Sequence, residues 1–115
     1  MASTLIKHGP TVVIRLSSNL DSDQPINELR AVVDKLLQEG NSRLVLNLAD
    51  VTTMNSYGIV ALTSIQREYA KRGGTVKLCQ LEKSITNILL LTKLSMIFEC
   101  HRTEDEATFS FTPTE

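Results

Sequence analysis

The chain has 115 residues, of which 42% are apolar, and its 12 basic residues nearly balance its 13 acidic ones. This length and composition predict one globular domain with a single core. The net charge of -1 gives no indication of the strongly basic face expected of a nucleic-acid-binding protein, and no apolar run approaches the roughly 20 residues of a membrane span. The first ten residues lack the basic-then-apolar order of a signal peptide, so we expect a cytoplasmic protein without a nucleic-acid or membrane partner.

The cysteines and histidines indicate neither a metal site nor a cofactor. Cys79 and Cys100 lie in separate apolar runs, and we expect two buried structural thiols rather than a disulfide. His8 and His101 are single and far apart along the chain. A metal site needs three or four clustered ligands, so the sequence predicts none.

Strand and helix patterns alternate through the first half of the chain. Residues 11–18 are rich in β-branched residues and follow a Gly-Pro turn, which predicts a hairpin with residues 4–8. Pro25 is tolerated only in the first turn of a helix, so a helix is expected to start there and to end at Gly40. The inward face of this helix has apolar residues at helical spacing: Ile26, Leu29, Val32, Val33, Leu36 and Leu37.

The middle of the chain predicts a strand, a polar loop and a helix. Residues 43–48 form a short apolar run suited to a central strand, and the loop that follows leads to a helix beginning at Gly58. Gly73 and Gly74 end this helix. Its predicted inward residues are Ile59, Leu62, Ile65 and Tyr69.

The last third of the chain repeats the alternation. Strands are predicted at residues 75–81 and 96–101, and Met54 and Met96 are interpreted as core filler. "TEDE" at residues 103–106 has a hydroxyl at the cap position and a glutamate three residues later, which predicts a capping box and a terminal helix. The helix between the two strands has its inward face at Ile85, Ile88, Leu89 and Thr92.

The predicted order is therefore β-β-α-β-α-β-α-β-α. Strands that alternate with helices imply a mostly parallel central sheet, and the N-terminal hairpin strand is the exception. The fold class is α/β, with about four helices in one domain spanning residues 1–115. We expect residues 112–115 to be a frayed tail.

The loop "NSYG" at residues 55–58 raises three hypotheses for Ser56. Serine is a favoured helix cap, a nucleophile when a base is near, and an acceptor of phosphate. The nucleophile is disfavoured, because the first glycine of a G-x-S-x-G elbow is missing and no motif connects His8 or His101 to the serine. The glycine-rich loops that bind nucleotide phosphates are missing as well. A cap and a phosphorylation site both remain open.

Four segments resemble the STAS domain, the module of bacterial anti-sigma factor antagonists. "VLNLADV" is similar to the family's strand "VLDLS-x-V", and "NSYGI" to its loop "D-S-x-G-[LIV]". "KRGGTVKLCQL" resembles the "K-x-x-G" turn and the strand after it. "NILLLTKLSMIFE" resembles the family's "V-x-x-x-L-x-x-x-G-L-x-x-[IVL]-F" segment. The four occur in the family's order and cover nearly the whole chain.

The resemblance implies a partner-switching regulator that is not an enzyme and needs no cofactor. In the family, an anti-sigma factor that is also a serine kinase phosphorylates the serine of this loop. The unmodified antagonist binds the kinase and frees the sigma factor, and a phosphatase restores it. By position, the phosphorylated residue is Ser56. The residues expected to contact the partner are Asn55, Tyr57, Gly58, Asp50, Thr52 and Thr53.

Two positions depart from the family pattern and keep an alternative open. Asn55 and Asn47 stand where the family usually has acidic residues, and both negative charges are lost. The alternative is a STAS subunit that is a scaffold in a larger signalling assembly and is never phosphorylated. A homodimer is also a possible assembly, because the opening hairpin would leave an exposed edge strand that can pair with a neighbour.

Overall fold

A computed structural model describes residues 3–111, and its helices and strands follow the predicted order. The strands are β1 (Ser3–His8), β2 (Thr11–Leu16), β3 (Arg43–Asn47), β4 (Thr75–Cys79) and β5 (Glu99–His101). The helices are α1 (Asp23–Gln38), α2 (Ser56–Lys71), α3 (Lys83–Leu91) and α4 (Glu104–Phe109), with a 3-10 turn at Leu94–Met96. The predicted frayed tail, residues 112–115, lies outside the described residues.

The five strands form one sheet in the order β1-β2-β3-β4-β5. β1 is antiparallel to β2, and every other pair is parallel. The parallel strands are added in one direction, so crossovers of one hand place α1, α2 and α3 on the same face of the sheet. The mostly parallel sheet with an N-terminal hairpin and four helices is confirmed.

The two faces of the sheet are covered unequally. The main core lies between the sheet and α1, α2 and α3, and it includes Leu29, Leu62 and Ile85. On the opposite face, α4 covers a small cluster of Val13, Val45, Cys79 and Ala107. The central strands β3 and β4 are buried on both faces, which explains their mostly apolar sequences. Lys77 is the charged exception in β4, and its ammonium donates to Glu99 Oε2 at 3.0 Å.

The predicted strand at residues 96–101 is too long, and two predictions near it are wrong. Lys93 adopts a left-handed conformation with φ of 65° and ends the α3 segment, after which a 3-10 turn anchored by Leu94 leads into β5. Met96 points outward from this turn and is 80% exposed, so it is not core filler. Thr92 is exposed as well. It is the C-cap of α3, and its hydroxyl donates to the Ile88 carbonyl at the end of the helix.

The prediction for the cysteines is half right. Both are free thiols, and Cys79 is buried beneath α4. Cys100 is exposed, because β5 is the last strand of the sheet and, within residues 3–111, has a neighbouring strand on one side only. A short apolar run does not reveal whether its strand is central or at the edge.

Candidate functional site

The loop between β3 and α2 is joined to the loop between β2 and α1. Leu20 and Met54 form an isolated parallel bridge. The Leu20 N–H donates to the Thr53 carbonyl at 3.1 Å, and the Asn55 N–H donates to the Leu20 carbonyl at 3.0 Å. Both loops leave the carboxyl ends of neighbouring parallel strands, so the start of α2 is held at one edge of the sheet by backbone bonds.

Side chains reinforce this joint at two threonines. Asn19 Oδ1 accepts a hydrogen bond of 2.8 Å from the Thr52 N–H and one of 3.3 Å from the Thr53 N–H. Thr53 Oγ1 donates to Asp21 Oδ2 at 2.8 Å. Thr52 and Thr53, both exposed, are therefore fixed on one surface with Asn19 and Asp21.

The cap of α2 is Asn55, so the hypothesis that Ser56 is a plain cap is wrong. Asn55 has the extended backbone typical of a cap residue, with φ of -101°. Its Oδ1 accepts from the Gly58 N–H at 2.9 Å, and its carbonyl accepts from the Ile59 N–H. The side-chain carbonyl oxygen of asparagine accepts this bond as a carboxylate would. The helix therefore begins two residues before the predicted Gly58.

Ser56 is the first residue of α2, and its side chain is exposed. Because Asn55 supplies the cap, the serine hydroxyl is not needed to satisfy the helix end. Among residues 3–111 this hydroxyl has no hydrogen-bond partner. It stands where the first N–H groups of a helix lack intrahelical partners and the helix dipole is positive.

Gly58 has a packing role beneath the loop. It is buried, and a Cβ built on it would lie 2.5 Å from the Leu20 carbonyl oxygen and 3.0 Å from Leu20 Cβ. The glycine lets the first turn of α2 approach the backbone at Leu20. It was predicted as a contact residue, but it has no side chain to offer a partner.

Tyr57 and Val60 project from the first turns of α2. Their side chains are 70% and 63% exposed. They line one side of a cleft of about 400 Å³ whose other side is α1. The α1 residues along this cleft are Asp23, Ile26, Asn27 and Arg30.

Asp50 is exposed and lies in a different depression. Together with Asp21 and Glu28 it lines a polar hollow of about 490 Å³ next to the start of α1. Of the predicted contact residues, Thr52, Thr53, Asn55 and Tyr57 therefore lie around the Leu20–Met54 bridge and the start of α2. Asp50 lies to one side, in an acidic setting.

One contact at this end of the sheet was not predicted from the sequence patterns. Ser84, the second residue of α3, donates from Oγ to the Thr52 carbonyl at 2.7 Å. It connects the start of α3 with the loop before α2. Both helices follow parallel strands, so their N-termini lie at the same end of the sheet, where the strands end. The parallel topology is therefore the one feature that could have indicated a contact there for Ser84 and Asn19.

Asn47, the other departure from the family pattern, belongs to a polar network under α4. Its Nδ2 donates to Glu104 Oε2 at 2.6 Å and to Gln80 Oε1 at 3.1 Å. Arg15 donates two hydrogen bonds to the same carboxylate, at 2.5 and 2.9 Å. The hydrogen bonds from Arg15 and then Asn47 lower the pKa of Glu104, against the effect of its burial. The carboxylate is therefore ionised at neutral pH.

Cys79, at the end of β4, does not provide a reactive thiol. Burial raises the pKa of Cys79 to about 12, so its thiol is protonated. Within residues 3–111 no group of three or more His, Cys, Asp or Glu side chains is placed to hold a metal ion. In the same part of the chain, every helix is too short or too polar to cross a bilayer.

Comparison with known proteins gives consistent matches. The family model described as "STAS domain" matches residues 3–107. A Thermotoga maritima protein provisionally named an anti-sigma factor antagonist is 28% identical over 76 residues, which are 66% of this chain and 67% of that protein.

The solved structures show likeness of fold. A crystal structure of an anti-sigma factor antagonist, also a provisional name, from Thermotoga maritima has a TM-score of 0.90 at 20% identity, covering 96% of this chain and 95% of that one. The Bacillus cell fate determinant SpoIIAA in its phosphorylated form has a TM-score of 0.75 at 23% identity, covering 95% and 98%.

Proposed function

The chain belongs to the STAS domain family, and we propose that it is an anti-sigma factor antagonist that binds a serine kinase through the surface around Ser56. The kinase is the anti-sigma factor, and its phosphorylation of Ser56 ends the interaction. A phosphatase reverses the modification, and the exchange takes place in the cytoplasm. This chain is then a substrate and a binding partner rather than an enzyme.

The observation that carries the proposal is the uncommitted, exposed hydroxyl of Ser56 at the first position of α2. A phosphoryl group would add about -1.5 to -2 charges there. The positive end of a helix and its unpaired N–H groups accommodate such a charge. Since Asn55 keeps the cap, modification of Ser56 would leave the start of the helix intact. The switch then acts on binding and not on the fold.

The neighbours of Ser56 supply a reason for release. Tyr57 and Val60 are exposed beside it, and partly apolar side chains of this kind are frequent anchors of protein interfaces. A partner that covers them also removes water from the adjacent hydroxyl. With a phosphate at that position, docking would require burial of a doubly charged group, which is strongly unfavourable without a matching cation.

The test is phosphorylation and binding with candidate anti-sigma factor kinases. We expect incubation with the cognate kinase and ATP to add one phosphate, and mass spectrometry to locate it at Ser56. Ser56→Ala should bind the kinase as the unmodified chain does, and Ser56→Asp should bind at least tenfold more weakly. Ser42→Asp adds the same charge at an exposed position before β3, at the opposite edge of the sheet, and should bind normally.

The amides at Asn47 and Asn55 favour a second candidate, the unphosphorylated scaffold subunit. A kinase that needs a carboxylate beside the serine would not modify this chain. In that case no phosphate is incorporated, and Ser56→Asp binds its assembly as well as Ser56→Ala does. Hydrolysis of ATP by the chain alone would contradict both candidates.

A further inference from the structure

The end of α3 and the turn after it expose four large apolar side chains. Leu90 is 59% exposed, Leu91 84%, Met96 80% and Ile97 44%. We call these four residues the α3 patch. The nine-residue helix buries fully only Ile85 and Leu89, so its last turn is apolar on the solvent side too. Helices that are apolar all round are normally covered.

The α3 patch lies at the opposite end of the helix from the Ser56 surface. The first turn of α3 touches the loop before α2, because Ser84 donates to the Thr52 carbonyl. Nine residues at 1.5 Å each carry the helix about 13 Å away from that edge of the sheet. The patch therefore adjoins the start of β5, at the end of the sheet where the parallel strands begin. A partner bound around Ser56 would leave it uncovered.

We propose that the α3 patch is the contact surface of a homodimer, with a second copy of this chain as its occupant. The exposed surface of the four residues is on the order of 500 Å², in the upper part of the range for the largest apolar patch of a monomer, and patches of this size are often functional. Two such patches placed face to face bury roughly 1,000 Å² before any polar rim is counted, which reaches the lower range of specific interfaces. The surface available is therefore sufficient for a reversible dimer.

The charges around the patch do not oppose a second copy. Between Leu90 and Phe98 the one charged residue is Lys93, which is exposed, and Glu99 with the opposite charge follows at the start of β5. The whole chain carries a net charge of -1, so two copies do not repel each other strongly. A two-fold contact sets the same patch against itself. Leucine and methionine side chains suit this arrangement because they repack readily.

The outer strand β1, where a neighbour could also pair, is less suited to the dimer contact. In the part of the chain that the structure describes, the outer side of β1 is not paired with another strand. Leu5, at 42%, is the only large exposed apolar residue of this strand. Lys7 and His8 occupy the end of the same strand and are exposed. Charged residues on an edge strand oppose pairing with a neighbour. We therefore assign the dimer contact to α3 and not to the opening hairpin.

Light scattering and sedimentation over a concentration series test this assignment. The wild-type mass should rise with concentration from 12.8 kDa towards twice that value. Leu91→Lys and, separately, Met96→Lys should each weaken dimerisation by about 30-fold or more, as loss of a central interface residue does. Phe109→Lys is the matched control, since Phe109 is 72% exposed on α4 and lies outside the patch.

Three outcomes would overturn the proposal. A wild-type chain that stays monomeric at every concentration contradicts it. So does a dimer that survives both patch substitutions while circular dichroism shows them folded, or a dimer that is lost only in Leu5→Lys. Ser56→Asp should leave the dimer unchanged, so this result is independent of whether Ser56 is phosphorylated.

Discussion

The amide of Asn47 and the carboxylate of Glu104 are joined by a hydrogen bond of 2.6 Å between the end of β3 and the first residue of α4. Asn47 is buried, and its other amide atom, Oδ1, accepts from the Ala49 N–H at 2.9 Å. The position thus needs a donor and an acceptor in one side chain. An amide supplies both, whereas an ionised carboxylate only accepts, which accounts for an asparagine where the family usually has an acid.

We expect Asn47→Asp to destabilise the protein at neutral pH. The substitution replaces a donor with a second carboxylate 2.6 Å from Glu104, so one of the two must bind a proton or lose its partner. A cost of about 1–3 kcal/mol is typical of a buried hydrogen-bonding group left unpaired. Urea denaturation at pH 7 and pH 4 measures it, and the deficit should be smaller at pH 4, where a shared proton is available.

The double variant Asn47→Asp with Glu104→Gln is the control. It exchanges the donor and the acceptor across the same contact, so most of the stability lost in Asn47→Asp should return. If Asn47→Asp were as stable as the wild type at pH 7, the contact would not explain the asparagine.

The stability of the wild type should fall below about pH 4.5, in part because of Glu104. Its pKa is lowered in the folded state, chiefly by the hydrogen bond from Arg15, so its contribution is complete above the pKa of the unfolded chain, about 4.3. That contribution is lost as the pH falls through the lower, folded-state pKa. Arg15 is 54% exposed, so solvent screening keeps the effect small.

Glu104→Gln provides the measurement for this pH dependence. The variant keeps the size of the side chain and removes the charge. The difference in unfolding free energy between wild type and variant should be largest near pH 7 and should shrink as the pH falls below the pKa of the unfolded chain, about 4.3. A difference that stays constant across this range would mean that the ionisation of Glu104 does not contribute.

Gly58→Ala should destabilise the fold although alanine favours helices. The added Cβ would meet the Leu20 carbonyl oxygen at 2.5 Å, and that carbonyl is held by the Asn55 N–H. The first turn of α2 must then move. We expect a net loss of up to about 2 kcal/mol, from a clash of about 1–3 kcal/mol less the propensity gain of nearly 1 kcal/mol.

Thermal melting of Gly58→Ala beside Ser56→Ala isolates this effect. Ser56→Ala is an equally small change in the same turn, but at an exposed position, and should alter stability by less than about 0.5 kcal/mol. Equal melting temperatures for the two variants would show that the close approach at Leu20 is not a constraint.

The fold was predictable from the sequence because its signals are local and repeated. The spacing of Ile26, Leu29 and Val33 fixed one face of α1, and the glycine that ends α2, Gly73, has the positive φ of 75° that such a stop requires. The threonine cap and the terminal helix predicted at residues 103–106 are confirmed too, because Thr103 Oγ1 accepts from the Glu106 N–H at 3.1 Å. The Glu106 carboxylate accepts from the Arg102 N–H instead of the Thr103 N–H, so the second bond of a capping box is displaced by one residue. Each of these depends on residues close together in the chain.

The details of the site were less predictable because they depend on contacts between distant segments. That Asn55 and not Ser56 caps α2 follows from where the Leu20 bridge fixes the backbone. Asparagine and serine are equally good caps, so the sequence alone favours neither. Met96 was misplaced for a similar reason, since an apolar residue has the same spacing whether its side of the segment is covered or exposed.

We expect the neutral cap Asn55 to make this chain more tolerant of negative charge at Ser56 than an aspartate would, and a double-mutant cycle tests it. Asn55→Asp keeps the cap on the Gly58 N–H and adds a favourable charge at the helix start, worth some tenths of a kcal/mol. In that background Ser56→Asp places two adjacent like charges on α2, and we expect an unfavourable coupling of roughly 0.5 kcal/mol at low salt.

Urea denaturation of the two single variants and the double variant measures the coupling. Asn55→Ala is the reference for loss of the cap and should cost about 1 kcal/mol. The same cycle at high salt should show a smaller coupling, because the charges are exposed and screened. Additive effects at low salt would mean that the amide gives no such advantage, and a carboxylate at position 55 would then be equally compatible with a phosphorylated Ser56.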